Sequence, residues 1–583
     1  MLFTCILYPH LDIMKASALL TLLLFCSIPI YGQDLSWGHS TGGSQEDLPF
    51  ALHVDPEDNI YQLSYFKDTV DADPGSDTTW VNALGEGDIL IQKFNTDGQL
   101  LWARHIGSID NEIPRAITGD SDGNIWITGI FRNQLDVDPG VGEVLLEGNP
   151  TWDFFLLKLD PEGDFLWAHA FTGADFDFVN SVATDEDGNV FLGGSFQSEI
   201  DFDPGVEEQL VEPNGFNNLF ILKLDNEGNF QWVKTVVGPS AHTLYKLDVD
   251  QEGNVVATGR FSGTSDFDPG IPTLPLSSNG AEDVFLIKLS PDGDLEWAFN
   301  FGGATGDSGQ DLAIDQEGNI YLTGYFTQLV DFDPGPGFFE FLSAGSDDIF
   351  VCKFTPSGDF EWAQQIGGEN RDRGLSIDVG NLGLYLYLGG QFEGAMDADP
   401  SFEEFIIEGE PNYFEDGFLM QLTNGPLLPL SWVYHFSTPG LDQVRDVALS
   451  SNDNWLFSMG AFAGTINLEL PSSQDQTIVT SNGLSDCFLQ GIYPFIVSVE
   501  DWSAPQTSIT VGPNPTGGAI QLFAPSSEIT RIILFNASGQ LVYQLQVDPK
   551  AEIQVTLPED NGSYYLQVLT TDGQWHTKKV IKQ

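Results

Sequence analysis

The stretch "LSWGHSTGG" occupies Leu35–Gly43, and a close copy, "LLWARHIGS", occupies Leu100–Ser108. Trp37 and Trp102 therefore hold one position, and further copies of that Trp stand at Trp167, Trp232, Trp297, Trp362 and Trp432. The interval of about 65 residues makes an internal repeat the first thing to test. A second marker, Phe at the end of an apolar run, recurs at Phe66, Phe131, Phe196, Phe261, Phe326, Phe392 and Phe462. Between Phe66 and Trp432, Phe and Trp alternate; after Phe462 no matching Trp follows. The missing one is Trp37, at the opposite end of the array.

One unit, read from Ser181 to Gly238, holds four strand-like runs: "SVATD", "NVFLGGSF", "LFILKLD" and "FQWVKTV". They are rich in β-branched and aromatic residues and bounded by turn residues. "EDG" joins the first pair and "NEG" the last, with Gly supplying positive φ in tight hairpins. A lone fourth strand at the start and an incomplete unit at the end are complementary halves. They predict an all-β, seven-bladed β-propeller of four-stranded blades in residues 34–503, closed by the N-terminal strand. An open solenoid would instead need capping repeats.

Each unit also carries a paired carboxylate before Pro-Gly: "VDADPG" (Val70–Gly75), "LDVDPG" (Leu135–Gly140), "IDFDPG" (Ile200–Gly205), "SDFDPG" (Ser265–Gly270), "VDFDPG" (Val330–Gly335) and "MDADPS" (Met396–Ser401). The seventh copy degenerates to Asn467 and Glu469 in "INLEL". The element joins the second strand to the third, so its copies form an acidic crown on the face that also carries the links between blades. Turn chemistry explains it directly, with Pro fixing φ and the Asp side chains capping loop amides. Calcium is the functional alternative, held by Asp71, Asp73, Asp136, Asp138, Asp201, Asp203, Asp266, Asp268, Asp331, Asp333, Asp397 and Asp399, because hard cations want several oxygens. The motif lacks the ligand series of the EF-hand loop.

A Lys recurs in the third strand at Lys93, Lys158, Lys223, Lys288 and Lys353, with Gln421 in the sixth unit. A cation kept in a core strand needs an acidic partner, and an Asp of the same or a neighbouring blade would serve. Pairing with the DxD carboxylates would count against calcium. The hairpins "DSDGN", "DEDGN" and "DQEGN" lie on the opposite face and read as ordinary turns. Catalytic sets are not visible: the histidines are scattered, and no nucleophile elbow, zinc motif or P-loop is present. Identical carboxylate pairs in six blades are architectural, because an active site breaks symmetry. Symmetry does break in the loops after DPG, where Trp80, Trp152, Phe338 and Tyr413 are candidates to stack on a sugar or peptide, or else to pack their own blade edge.

Composition limits the function classes. The 583 residues carry 86 acidic and 21 basic side chains, a formal charge of −65, which argues against nucleic acid. With 41% hydrophobic and 12% aromatic residues, this is not a disordered acidic chain. From Met14, the favoured start, Lys15 and the apolar Ala16–Ile30 read as a secretory signal, giving a leader of residues 1–32. No later stretch is long and apolar enough to span a bilayer as a helix. Cys352 and Cys487 would remain after cleavage, at different repeat positions, with no bridge indicated.

Residues 504–583 fall outside the period. "PNPTGG" (Pro513–Gly518), "LFNASGQLV" (Leu534–Val542), "NGSYYLQV" (Asn561–Val568) and the basic "KKVIK" (Lys578–Lys582) sit among short alternating strands that suggest a small β-sandwich. The segment resembles the type A sorting domain of the type IX secretion system of Bacteroidetes. That resemblance implies handling by the type IX machinery, with delivery to the outer cell surface or release. The blades, as in "AIDQEGNIYLTG" (Ala313–Gly324) and "DDIFVCKFTPSGDFEW" (Asp347–Trp362), resemble the propeller repeats of secreted bacterial proteins, a likeness that predicts shape and no single activity. The sequence reading is thus an exported binding or adhesion module for an extracellular glycan or protein, leaning away from catalysis. A polysaccharide hydrolase or lyase, or a purely structural surface protein, are the alternatives.

Overall fold

The computed structural model describes residues 35–493, apart from 382, 402–403, 411–414 and 470–476, and residues 510–582 apart from short stretches between strands. The leader assigned to residues 1–32 and the ligand candidate Tyr413 lie outside the described residues.

Seven four-stranded antiparallel sheets follow one another along the chain. In the first, Leu48–Val54 is the innermost strand, followed outward by Ile60–Phe66, Asp88–Phe94 and Leu100–Ile106. The second and third strands are buried along their whole length, because both of their faces meet neighbouring blades. The outer strand is partly covered along most of its length, with Leu101 exposed and Ile106 buried. The last blade is built from Gln443–Leu449, Leu456–Phe462 and Asp486–Ile492, and its outer strand is Leu35–Thr41 from the other end of the chain. Thr41 pairs with Cys487 and His39 with Leu489. The expected seven-bladed closure is therefore observed, and the molecule is all-β among the described residues.

Neighbouring blades are bolted together by the repeated Trp. The indole N–H of Trp37 donates to the Thr96 carbonyl of the next blade at 2.7 Å. Trp102, Trp232 and Trp297 donate in the same way to the carbonyls of Pro161, Pro291 and Pro356. The receiving hairpin turns on a glycine at positive φ, as at Gly98 and Gly163, and a Cβ there would overlap the Trp ring. Trp432 breaks the series: its indole nitrogen is buried without a partner among the described residues. At the receiving place the third and fourth strands of the last blade, Asp486–Ile492 and Leu35–Thr41, come from distant parts of the chain and are not joined by a hairpin.

The repeated Lys is the second bolt. Lys93 meets Asp55, Lys158 meets Asp120, Lys223 meets Asp185 and Lys288 meets Asp250, at 2.8–3.5 Å. These acids open the hairpins between the first and second strands, on the face opposite the DxDPG elements. The partner is thus an Asp of the same blade and not a DxD carboxylate. Lys353 turns to Glu361 instead, at 2.9 Å. Where Lys gives way to Gln421 and, in register, to Gly491, the hairpin acid gives way to Gly380 and Ser450. Acid and base vanish together, as a buried pair requires.

Each DxDPG element opens a two-stranded ribbon of its own between the second and third strands, such as Thr69–Asp71 with Trp80–Asn82. The residue between the two acids (Ala72, Val137, Phe202, Phe267, Phe332, Ala398) is fully buried, and Leu468 fills that place in the last blade. Period-2 alternation therefore turns the acids outward while their neighbour anchors the ribbon in the core. Ribbons also bridge to the preceding blade, as Asp136 does with Gly107 and Asp266 with Val237.

Described by itself, the C-terminal segment forms a three-stranded sheet (Thr510–Gly512, Ala519–Phe523, Glu552–Thr556) and a four-stranded one (Ile529–Asn536, Leu541–Lys550, Gly562–Thr570, Trp575–Lys582). Ile520, Leu522, Ile532, Leu534, Leu566 and Val568 form its buried core. No helix among the described residues is long and apolar enough to cross a membrane.

Candidate functional site

Seven innermost strands converge on an axis, and each carries a β-bulge at the same place. The register slips between Pro49 and Ala51, Pro114 and Ala116, Val179 and Ser181, Leu244 and Lys246, Gly309 and Asp311, Gly374 and Ser376, and Val444 and Asp446. A bulge leaves one residue unpaired and re-aims its side chain. The bulged residues are Phe50, Arg115, Asn180, Tyr245, Gln310, Leu375 and Arg445, and all seven line one cavity of ≈ 170 Å³. The scaffold is seven times repeated, yet this ring has six residue types in seven places. Symmetry fails here as well as in the loops after DPG.

The next layer down the axis is charged and mutually bonded. Asp446 accepts the Leu52 amide at 2.7 Å and the Ser376 hydroxyl at 2.9 Å. Asp311 accepts the Ile377 amide at 2.8 Å, and its other oxygen faces Lys246 at 3.3 Å. Lys246 is held well above its ordinary value, first by Asp311 and then, against desolvation, by Asp446 and Asp248. Below it the channel widens to ≈ 270 Å³, lined by His53, Asp248 and Asp378. Burial pushes Asp378 up to about 7 and His53 down to about 4. This end is acidic.

The opposite mouth is basic. It opens to ≈ 440 Å³ between Tyr245, Arg260, Gln310, Tyr325, Arg373, Gln443 and Arg445. Two of its arginines are committed: Arg260 pairs with Glu282 at 2.9 Å, and Arg373 grips Asp347 through Nε and Nη2 at 2.9 and 2.6 Å. Arg445 and, one layer in, Arg115 have no carboxylate within ion-pair distance among the described residues. Burial lowers both from the ordinary guanidinium value, and Arg445 adds to the effect on Arg115, which falls to about 10. A guanidinium is not deprotonated in proteins, so both are cations. The Arg115 Nε is buried with no hydrogen-bond partner.

The residues singled out from sequence lie elsewhere. In every DxDPG copy the first Asp accepts two amides of its own loop: Asp331 takes those of Asp333 (3.2 Å) and Phe339 (2.8 Å) through Oδ1. The second Asp caps the turn, as Asp333 does for the Gly335 amide at 2.8 Å. Asp71, Asp136, Asp201, Asp266 and Asp397 repeat the first pattern. Asp73, Asp138, Asp203, Asp268 and Asp399 repeat the second. Among the described residues no group of three or more His, Cys, Asp or Glu is placed to hold a metal ion. Trp80 and Phe338 are exposed on the ribbons of different blades, and Trp152 is partly buried against the core beneath the Arg132 guanidinium. The three are not brought together, and none lines the channel. Cys352 and Cys487 are buried free thiols.

Sequence reasoning missed the bulge ring, although a signal was there. Aligning the units puts residues 50, 115, 180, 245, 310, 375 and 445 in one column, which varies from blade to blade while the position two residues on (Leu52, Ile117, Val182, Leu247, Leu312, Ile377, Val447) stays apolar.

Comparison with known proteins adds the following. Residues 510–583 match the family described as the secretion system C-terminal sorting domain, and residues 296–325 match the beta-propeller repeat. The protein is accordingly secreted or attached to the outer cell surface. An uncharacterized WD repeat-containing protein of Acanthamoeba polyphaga mimivirus is 24% identical over 56% of this chain and 27% of its own length. The regulatory protein FlaEY of Caulobacter vibrioides is 24% identical over 30% of this chain and 17% of its own. The chain thus spans about a quarter or less of these relatives. Among solved structures, the Neurospora crassa Pan2 WD40 domain aligns at 8% identity and TM-score 0.37, covering 77% of this chain and 90% of that one. The polysaccharide lyase Uly1 aligns at 10% identity and TM-score 0.36, covering 80% and 94%.

Proposed function

We propose that this protein is an exported binding module whose axial channel takes an extracellular ligand, a glycan or a protein segment, after delivery through its C-terminal sorting domain. One observation carries the reading. The seven bulged residues differ from blade to blade on a regular scaffold, and they line a cavity open at a polar mouth. Binding sites are concave, with a few convergent polar groups on a rigid frame. Phe50 and Leu375 supply apolar surface there, and Asn180, Tyr245 and Gln310 supply hydrogen-bonding groups.

The test is a glycan array probed with the exported protein and with its Tyr245→Ala and Gln310→Ala variants. Retention by wild type and loss by both variants, at unchanged melting temperature, supports the channel. Equal retention by all three, or no retention by any, overturns it. Release of soluble oligosaccharide during the same incubation would replace the binding reading with the polysaccharide hydrolase or lyase.

A further inference from the structure

Building on the channel reading, we propose that the upper channel is an anion site, in which Arg115 and Arg445 together hold one carboxylate or sulfate group of an extracellular carbohydrate. The protein carries 86 acids against 21 bases, so a basic side chain without an acidic partner stands out. Lys93, Lys158, Lys223 and Lys288 each have a hairpin Asp, and Arg260 and Arg373 each have a mouth carboxylate. Arg115 and Arg445 come from different blades and face the same cavity without one among the described residues. Tyr245 lines that cavity with them, and Arg445 acts electrostatically on Arg115, while Asp446 and Asp311 of the layer beneath act on Arg445 without reaching ion-pair distance.

A guanidinium offers a planar fork of donors that fits a carboxylate or sulfate edge. Here the Arg115 Nε is a buried donor with nothing to bond. An anion between the two forks would satisfy it and offset the repulsion of the pair. Tyr245 and Gln310 line the way in, and Asn180 lines the same cavity. The layer beneath, with Asp248, Asp311 and Asp446 around Lys246, closes the site to a second anionic group. The net charge of −65 likewise repels a long polyanion, although salt screens that repulsion beyond about 8 Å. The fit is therefore to a single acidic group at a chain end or branch.

Three probes test this by thermal shift and calorimetry on the exported protein, at constant ionic strength: glucuronate, glucose and inorganic sulfate. Wild type should be stabilised by glucuronate, by sulfate, or by both, and not by glucose. Glucuronate alone points to a uronic acid and sulfate alone to a sulfate ester. Arg115→Gln and Arg445→Gln should each weaken binding roughly tenfold or more, the loss expected for one charge-assisted contact. Arg445→Lys should recover part of it. Glucose binding as tightly as glucuronate, with the Arg variants unaffected, sinks the anion site while leaving the channel reading intact. No stabilisation by any probe, together with an empty glycan array, sinks both. A variant that melts well below wild type is replaced by Arg→Lys at the same position, read on the same probes.

Discussion

At the scale of the residue, the DxDPG acids act on backbone amides. Asp331 Oδ1 accepts the amides of Asp333 and Phe339, so the carbonyl-like oxygen matters more than the charge. The last blade makes this substitution naturally: Asn467 stands at the aligned position and its Oδ1 accepts the Glu469 amide at 3.1 Å. Asp331→Asn should therefore be nearly silent in a melting experiment. Asp331→Ala leaves two loop amides without their acceptor and should cost about 1–2 kcal/mol. Calcium gives the opposite pattern, because an amide is a poorer ligand than a carboxylate. If chelator lowers the melting temperature of wild type and Asp331→Asn removes part of that response, the turn account is wrong.

At the scale of the element, closure rests on one strand. Leu35–Thr41 pairs along Asp486–Ile492, and Trp37 reaches across to the first blade. Deleting residues 35–41 from the exported protein removes that outer edge and the Trp37 bolt, and it exposes the third strand of the last blade. We expect proteolysis to begin in residues 443–492 and the chain to self-associate, read by limited digestion and size-exclusion chromatography. A deletion variant as protease-resistant and monomeric as wild type would show that the ring does not need its closing strand.

That strand was legible in the sequence because Trp37 lacks a partner at one end and Phe462 at the other. The blade count and strand order followed from aromatic spacing, which sets burial on both faces of each sheet. The ribbons were not separable from their turns, because three-residue strands such as Leu329–Asp331 are too short to show a period. The Lys partners required knowing which face each strand end reaches, although the joint loss at Gly380 with Gln421 encoded the pairing. The bulges were hidden for a different reason. An inserted residue keeps the repeat length constant when every copy contains it, so Arg115 and Arg445 read as ordinary strand positions.

At the scale of the whole molecule, the junctions between blades make a pH response. Asp47, Glu112, Asp177, Asp307 and Asp442 immediately precede the innermost strands of five blades, Asp372 begins that of a sixth, and all are buried. Asp47, Asp307 and Asp442 accept amides from both sides of a junction, as Asp307 does from Gly303 (2.6 Å) and Thr327 (2.8 Å), while Glu112 accepts the Ser108 amide and hydroxyl. Burial is the main cause that raises them, to about 7 for five and about 8 for Asp372. At the remaining junction His242 takes the place, bonded to the Asn217 carbonyl and the Ser265 hydroxyl, beside Asn218 where the other blades have Asp.

The direction of the response follows from linkage. An acid whose folded value is raised binds more protons folded than unfolded between about pH 4 and pH 7, so its stabilisation is full at low pH and is lost as pH rises. The buried histidines oppose this. His39 and His53 fall to about 4, and His169, His242 and His435 are also lowered by burial. Their contribution is present above about pH 6.5 and fades as pH falls below it. The two sets therefore cancel in part under acid, but above pH 6.5 only the acids are still titrating. The melting temperature should fall between about pH 6.5 and pH 8.5. Asp307→Asn, which cannot ionise, should make that fall shallower, while Asp331→Asn on a ribbon should leave its slope unchanged. A melting temperature that is flat or rising across this interval would mean that the junction acids are already ionised in the folded protein, with the loop amides outweighing burial.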